Sequence, residues 1–170
     1  MNSSTGSPLN GNKIVYARNY GEFSYTGGDI VPAAADTIYA FPFDTTHDAS
    51  STITRSNTSH VNINTAGRFK LITSIQVKNS NNAADYVMRF WLRRNGSDVA
   101  NSATLVTPLK LQEQVVSMDW LVESDGNDYF EIVYYVNNTS VTFPYYAAGT
   151  SPVTYPAAPP IILNVIPIGA

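Results

Sequence analysis

The fold class is decided by one stretch in the middle of the chain, Arg68-Phe69-Lys70-Leu71-Ile72-Thr73-Ser74-Ile75-Gln76-Val77-Lys78. Its side chains alternate with a period of two, which is the period of a β-strand. One face carries Phe69, Leu71, Thr73, Ile75 and Val77, and the other carries Arg68, Lys70, Ser74, Gln76 and Lys78, with Ile72 as the exception. The stretch therefore predicts a long strand with one face on a core and the other toward solvent.

Further strand patterns lie on both sides of this stretch and are separated by turn sequences such as Asn95-Gly96, a strong hairpin signal. The predicted strands cover residues 14–20, 22–25, 37–41, 60–64, 68–78, 86–92, 115–122, 129–136, 138–146 and 161–166. No window shows sustained helical periodicity. The chain is therefore predicted to be all-β, as a sandwich or a barrel.

The charge and composition of the chain exclude several classes of protein. Ten Lys and Arg stand against 13 Asp and Glu, and charged residues make up 14% of the sequence, compared with about 25% in typical proteins. Asn, Ser and Thr occur 16 times each. This composition argues against a nucleic-acid binder, which would carry a basic face, and the absence of Cys rules out disulfides and thiolate chemistry.

Targeting and membrane signals are also missing. No apolar stretch approaches the length of a membrane span. The segment Met1-Asn2-Ser3-Ser4-Thr5-Gly6-Ser7-Pro8 has neither the basic region nor the apolar core of a secretory signal. We therefore expect synthesis in a cytosol and no membrane partner.

The motifs of common catalytic and metal sites do not occur in the sequence. His47 and His60 form no metal-binding pair, no Gly-x-Ser-x-Gly elbow is present, and no glycine-rich phosphate loop is found. Asp125-Gly126-Asn127-Asp128 is first of all a turn, and its oxygens leave calcium binding open. We expect no catalytic residues, no metal and no cofactor, so the chain is predicted not to be an enzyme.

Three arginines, Arg89, Arg93 and Arg94, lie close together in and directly after the strand predicted at residues 86–92. Arg89 and Arg93 point to the same side of it. They fit either a clamp for a carboxylate or neighbouring subunit, or a solvated sheet face with Asp85 or Asp98 as local partners.

Four blocks of the sequence stand out in order along the chain. They are Ile63-Asn64-Thr65-Ala66-Gly67-Arg68-Phe69-Lys70-Leu71, Phe90-Trp91-Leu92-Arg93-Arg94-Asn95-Gly96-Ser97-Asp98-Val99 followed by Asn101-Ser102, Asp128-Tyr129-Phe130-Glu131-Ile132-Val133-Tyr134, and Pro159-Pro160-Ile161-Ile162-Leu163-Asn164-Val165. Together they resemble C1q/TNF-like jelly-roll virion proteins of bacteriophages, of the capsid decoration (cement) or tail-fibre head type. The W-L-x-x-N-G-x-x-V-x-x-S run is the most distinctive. The resemblance covers about residues 60–168 and implies a two-sheet antiparallel jelly roll that assembles as a homotrimer.

The strand at residues 129–136 is largely apolar on both faces, whereas the core of a sandwich covers only one face of a strand. Phe130, Ile132, Tyr134 and Val136 can fill the sandwich. The remaining face then needs a cover, and aromatic residues with a polar tip are enriched at subunit interfaces. We predict a trimer interface formed by Tyr129, Val133, Tyr135, Tyr145 and Tyr146. A loop of the same subunit folding over that face is the alternative.

The first residues of the chain are polar and contain glycine, which is typical of a flexible arm. We divide the chain into an N-terminal arm, residues 1–13, and a jelly-roll domain, residues 14–170. Ser3, Pro8, Leu9 and Asn10 of the arm are the predicted contacts with a capsid.

These observations favour a structural protein, a trimeric phage protein that decorates and stabilises the capsid lattice. Its partners would be two further copies of the chain and the major capsid protein or another virion protein, with no nucleic acid. Its place would be the exterior of the virion. The alternative function is a tail-fibre head or spike domain that binds a host receptor or glycan through apical loops such as Pro144-Tyr145-Tyr146.

Overall fold

Thirteen β-strands form the regular structure of residues 19–168, which are the residues described by the computed structural model. The strands are β1 (Gly21–Ser24), β2 (Thr37–Ala40), β3 (Thr45–Ala49), β4 (Ile53–Ser56), β5 (His60–Ile63), β6 (Ala66–Asn79), β7 (Met88–Arg94), β8 (Ser97–Asp98), β9 (Thr104–Val106), β10 (Gln112–Asp125), β11 (Asp128–Val136), β12 (Val141–Thr142) and β13 (Ile161–Pro167). Within these residues no helix is long and apolar enough to cross a bilayer. The all-β prediction is confirmed.

The strands form two antiparallel sheets. The first sheet has the order β10-β6-β13-β1-β3, with β12 also paired to β6. The second has the order β4-β5-β11-β7-β8, with β2 paired to β11 and β9 paired to β7. Neighbours in each sheet are mostly distant in sequence, and this arrangement is the predicted two-sheet jelly-roll sandwich.

The core lies between the two sheets and is rich in aromatic rings. The inward face of β6 is the one predicted from its alternation, because Phe69, Leu71, Thr73, Ile75 and Val77 are each at most 1% exposed. Across the core, Tyr134 of β11 contacts Phe41 and Phe143 with ring centroids 4.5 and 4.6 Å apart. Burial raises the pKa of the Tyr134 hydroxyl, so this tyrosine serves as a neutral core residue.

Four strands were not predicted, namely β3, β4, β8 and β9. The side chains of β3, Thr-Thr-His-Asp-Ala, are exposed or half-buried because this strand is the edge of the first sheet, so it lacks an apolar alternation. Conversely, the strand predicted at residues 138–146 is longer than the observed one, because β12 contains only Val141 and Thr142. The chain leaves the sheet there, and the backbone N–H of Tyr145 donates to Asp29 Oδ1 instead (2.8 Å).

The hairpin signal Asn95-Gly96 forms the turn between β7 and β8. Both residues have positive φ, 50° and 80°, as a type I′ turn requires. The Asn95 side chain also ties the turn to β11, because it donates to Asp128 Oδ1 (2.7 Å) and accepts from the backbone N–H of Tyr129 (2.9 Å).

The remaining residues of the W-L-x-x-N-G-x-x-V-x-x-S run fasten the segment after β8 to the core. Leu92 is buried, and its backbone N–H donates to Ser102 Oγ (3.0 Å) while its carbonyl accepts from Val99 N–H (2.9 Å). The Ser102 carbonyl in turn accepts from the indole N–H of Trp120 in β10 (2.8 Å). Leu92, Val99 and Ser102 of the run therefore have a structural role, because their hydrogen bonds link the second sheet to Trp120 of the first.

Candidate functional site: the outer face of the first sheet

Aliphatic side chains are exposed on the outer surface of the first sheet. On β10, Leu121 is 74% and Val115 58% exposed, and at the end of β13 Ile166 and Ile168 are 45% and 41% exposed. The strand registers place Leu121 and Ile166 on either side of Lys70 of β6. We call the outward surface of β10, β6 and β13 the first-sheet face. Leu121, Ile166 and Ile168 lie toward one end of this face, and Val115 lies six residues from Leu121 along β10. Grouped apolar side chains with a polar surround are typical of interaction surfaces.

The charges of the first-sheet face balance across the strands. Lys70 pairs with Asp119, and Lys78 Nζ lies 2.7 Å from Glu113 Oε1. The pair with Lys78 lowers the pKa of Glu113, and Glu113 raises the pKa of Lys78, so both are charged over a wide pH range. Arg68 and Glu123 also stand opposite each other in register. A face with such balanced charge can meet a second copy of itself without strong repulsion.

Strand β10 forms an edge of the first sheet. It extends over 14 residues and, within residues 19–168, pairs along one side only, with β6. A long free edge exposes a row of backbone donors and acceptors, and soluble proteins normally cover or shorten such an edge. The exposed edge and the exposed Leu121 and Val115 belong to the same strand, so one partner surface can cover both.

Of the predicted interface residues Tyr145 and Tyr146, which follow β12, only Tyr146 bonds to a residue of the first-sheet face, whereas the backbone N–H of Tyr145 donates to Asp29 Oδ1. Tyr146 donates to Glu113 Oε2 (2.6 Å), so its ring adjoins β10. Partial burial and this bond to a carboxylate raise the pKa of the Tyr146 hydroxyl to about 12. Tyr146 is therefore placed beside the first-sheet face, with its hydroxyl held as a donor.

The other three predicted interface residues lie on the outer surface of the second sheet, away from the first-sheet face. The ring of Tyr129 stacks on His60, with centroids 3.9 Å apart. Tyr135 donates to Asp36, and that bond raises the pKa of its hydroxyl. Val133 is fully buried within the single chain, so the cover that was expected from a partner subunit is supplied by its own neighbours.

A buried carboxylate lies on the same outer surface of the second sheet. Glu131 is 8% exposed, accepts from Ser59 Oγ (2.7 Å) and lies 3.5 Å from His60 Nε2. Ser, His and Glu are thus adjacent, but the serine hydroxyl is bonded to the glutamate rather than to the histidine. This is not the arrangement of a Ser-His-acid triad, in which the serine hydroxyl bonds to the histidine.

The arginine cluster divides among separate partners. Arg93 Nε donates to Asp98 Oδ1 (3.0 Å), which is one of the two local partners suggested by the sequence. Arg94 forms a bidentate pair with Asp128. Arg89 has no carboxylate partner within residues 19–168, and its Cζ lies 5.9 Å from the centre of the Tyr135 ring.

The Asp125–Asp128 turn and the histidines offer little to a metal ion. Both oxygens of Asp128 accept from Arg94, so a cation would have to displace a guanidinium. His47 lies on β3 of the first sheet and bonds Ser24 Oγ (2.8 Å), whereas His60 lies on β5 of the second. In the described part of the chain no three His, Cys, Asp or Glu side chains are grouped as a metal site.

The predicted capsid contacts Ser3, Pro8, Leu9 and Asn10 lie outside the described residues. The same holds for the predicted strand at residues 14–20, apart from its last two positions. The boundary between arm and domain stays a prediction.

The first-sheet face was missed by the sequence analysis, although a signal was present. The inward set on β10 was predicted correctly: Met118 and Trp120 are buried, and Val116 and Val122 pack against the core. The signal lay in Val115 and Leu121, which are apolar although the alternation places them on the outward face of β10.

Comparison with known proteins identifies the fold. No protein-family model matches the chain, and no curated protein sequence matches it. Among solved structures, the globular domain of zebrafish complement 1qA superimposes with a TM-score of 0.56, over 89% of this chain and 98% of that one, at 8% sequence identity. The chain has a C1q-like jelly-roll fold. In all, 211 solved chains match, and at such low identity the likeness establishes the architecture and leaves the function to be argued from the surface.

Proposed function

We propose that the chain is the subunit of a homotrimeric structural protein of a phage virion, which binds the exterior of the capsid and stabilises its lattice. The observation that carries the assembly part is the first-sheet face, with Val115, Leu121, Ile166 and Ile168 exposed beside a free edge strand. Three copies are proposed because the sequence resembles jelly-roll proteins that assemble about a three-fold axis.

Burial of the first-sheet face gives a physical driving force for assembly. Each square ångström of apolar surface removed from water contributes about 25 cal/mol, and the four exposed aliphatic side chains are large. The salt bridges Lys70–Asp119 and Lys78–Glu113 lie among them. Since these charges are already paired within one subunit, association does not leave an unpaired charge in the interface.

The outer surface of the second sheet suits the exterior of a particle. Neutral polar side chains of β4 and β5 bond one another there: Asn62 Nδ2 donates to Ser56 Oγ (3.0 Å), and Asn64 Nδ2 donates to Thr54 Oγ1 (3.3 Å). Such a surface is hydrated with little net charge. The capsid contact itself is assigned to arm residues Ser3, Pro8, Leu9 and Asn10, and repetition of three arms in one trimer would multiply weak contacts by avidity.

A second candidate function, a fibre head or spike domain, is favoured by one apical feature. The chain between Tyr146 and Ala158 forms a projecting hairpin with backbone bridges at both residues and at Gly149 and Tyr155. Tyr155 packs over Gly149 so closely that a Cβ there would lie 2.2 Å from its Cζ. Val153 at the tip is 64% exposed, which suits contact with a host receptor.

The proposal is tested in two steps with the full-length protein. Light scattering should give about three times the chain mass of 18.5 kDa, and a stable monomer at all concentrations would overturn the trimer. The purified protein is then mixed with phage capsids that lack it, and the particles are imaged by electron cryomicroscopy. Ordered added density on the capsid lattice supports decoration. Density confined to the tail, or saturable binding to host cells without capsid binding, supports the fibre-head function instead.

A further inference from the structure

A cleft of about 310 Å³ opens on the outer surface of the second sheet, on the opposite side of the subunit from the first-sheet face. It is lined by Arg89, Trp91, Asp98, Val99 and Ala103. We call it the Trp91 cleft. Its size lies at the lower end of the range of small-ligand sites, which combine apolar walls with a few directed polar groups.

The indole of Trp91 is held in a fixed orientation at the centre of this cleft. Its Nε1–H donates to Asp98 Oδ1 (2.9 Å), and its side chain is half-buried. An aromatic ring whose polar atom is already bonded presents its remaining apolar surface to a ligand at little cost in conformational entropy.

Asp98 supplies a hydrogen-bond acceptor at one end of the cleft. Its Oδ1 accepts from both Trp91 and Arg93, and these two bonds lower the pKa of the carboxyl, so the group is ionised. Its Oδ2 accepts no hydrogen bond from residues 19–168, and the side chain is 56% exposed. A carboxylate with one oxygen engaged and one directed to solvent is a good acceptor for hydroxyl groups.

Arg89 supplies a positive charge at the other end. Its side chain is exposed and has no carboxylate partner in the described chain, while the nearby Asp36 is engaged by the Tyr135 hydroxyl. Because Arg93 offsets the charge of Asp98, the Trp91 cleft as a whole is positive at its Arg89 end. That end therefore fits an anionic group, such as a carboxylate.

The spacing of these groups indicates the length of the ligand. Trp91 lies two residues from Arg89 on β7, about 7 Å along the strand at a rise of about 3.3 Å per residue. Asp98 Oδ1 lies 2.9 Å from the Trp91 indole nitrogen, so the carboxylate adjoins the indole. A ligand of one or two sugar rings therefore reaches from Asp98 across Trp91 to Arg89.

We propose that the Trp91 cleft binds an acidic saccharide segment. One sugar ring stacks on the Trp91 indole, hydroxyl groups donate to Asp98 Oδ2, and a uronic acid carboxylate pairs with the Arg89 guanidinium. An acidic peptide or a nucleic acid fits less well, since the accessible Asp98 Oδ2 needs a hydroxyl donor on the same ring that stacks on the indole, which a sugar provides. The inference is independent of the assembly proposal, because the cleft lies on the other sheet.

The test uses full-length, ¹⁵N-labelled protein and the indole N–H resonances of its tryptophans. Trp91 reports on the cleft, and Trp120 serves as an internal reference because its indole N–H is bonded to Ser102 in the core. The probes are pairs of disaccharides of equal linkage, one member with a uronic acid and the other with the neutral hexose, for example glucuronosyl-β1,4-glucose and cellobiose.

We expect a saturable shift of the Trp91 resonance with uronic members, binding about tenfold weaker for the neutral members, and no shift of Trp120. Arg89→Ala should abolish the preference for the acidic member. Lys110→Ala, which removes another exposed cation, should leave it unchanged. The proposal is overturned if no pair in the panel moves Trp91, or if acidic and neutral members bind equally and Arg89→Ala has no effect.

Discussion

The guanidinium of Arg94 binds the carboxylate of Asp128 through two hydrogen bonds of 2.7 Å each. Arg94 ends β7 and Asp128 begins β11, so the bond fastens neighbouring strands of the second sheet at the point where the chain crosses from β10. Asp128 is 3% exposed and also accepts from Asn95 and from the backbone of Asp125. The Asp128 carboxylate thus connects the Asn95-Gly96 turn with the turn between β10 and β11.

Replacement of this carboxylate should destabilise the fold. Asp128→Asn removes a buried charge that accepts two hydrogen bonds from Arg94, and we expect a loss of about 2 to 3 kcal/mol in the free energy of unfolding. The measurement is urea unfolding followed by tryptophan fluorescence.

The matched control is Asp125→Asn in the same turn. Asp125 is exposed and accepts from the backbone of Asn127, a role that an asparagine oxygen also fills. Its effect should stay within about 0.5 kcal/mol. Equal stability of the two variants would contradict the role given to the Arg94–Asp128 pair.

The same carboxylate should make stability depend on pH in acid. Burial of Asp128 opposes its ionisation, but the hydrogen bonds from Arg94, Asn95 and the backbone of Asp125 outweigh that cost and lower the pKa to about 2. Since the unfolded value is near 3.8, the group contributes stability above pH 4 that is lost as the pH falls from about 4 to 2.

The size of this loss is about 2 kcal/mol. Urea unfolding of wild-type protein and Asp128→Asn at several pH values measures it as a difference between the two. The stability gap should narrow as the pH falls toward 2, and a gap that is constant with pH would count against the assignment.

Two aspartate substitutions distinguish the two candidate trimer surfaces. Leu121→Asp places a charge in the middle of the first-sheet face, and we expect it to convert the trimer to monomers because an unpaired buried charge is costly. Tyr135→Asp places a charge on the second sheet and should leave the trimer intact. Both are measured by light scattering, with circular dichroism to verify folding. The opposite pattern would return the interface to the outer surface of the second sheet, at Tyr129 and Tyr135.

Removal of residues 1–12 tests the role of the arm. We expect the shortened protein to fold and to form trimers like the full chain, since the first-sheet face is retained, but to bind capsids at least about tenfold more weakly because three weak contacts act through avidity. Cosedimentation with capsids measures the binding. Substitution of Leu9 alone by Ser is a milder variant and should have a smaller effect in the same direction. Unchanged binding of the shortened protein would remove the arm from the capsid contact.

The sequence by itself determined the all-β class, the inward faces of β6, β10 and β11, and the turn at Asn95-Gly96. These features are local, because a period of two and a demand for positive φ can be read from a few consecutive residues. The polar edge strand β3 could not be found in this way, since a strand without a buried face has no alternation to show.

The tertiary structure alone decided which surplus apolar surface stays exposed. In the sequence, both the strand at residues 129–136 and the strand of β10 carry apolar side chains at outward positions, Val115 and Leu121 in the case of β10. The sequence does not distinguish the two strands in this respect. Strand β11 lies in the middle of its sheet, where β2 and β7 pair on either side of Val133. In the part of the chain that the structure describes, β10 lies at an edge and pairs with β6 alone. The position of a strand within its sheet is set by pairings between residues far apart in sequence, so it could not be predicted from local sequence patterns.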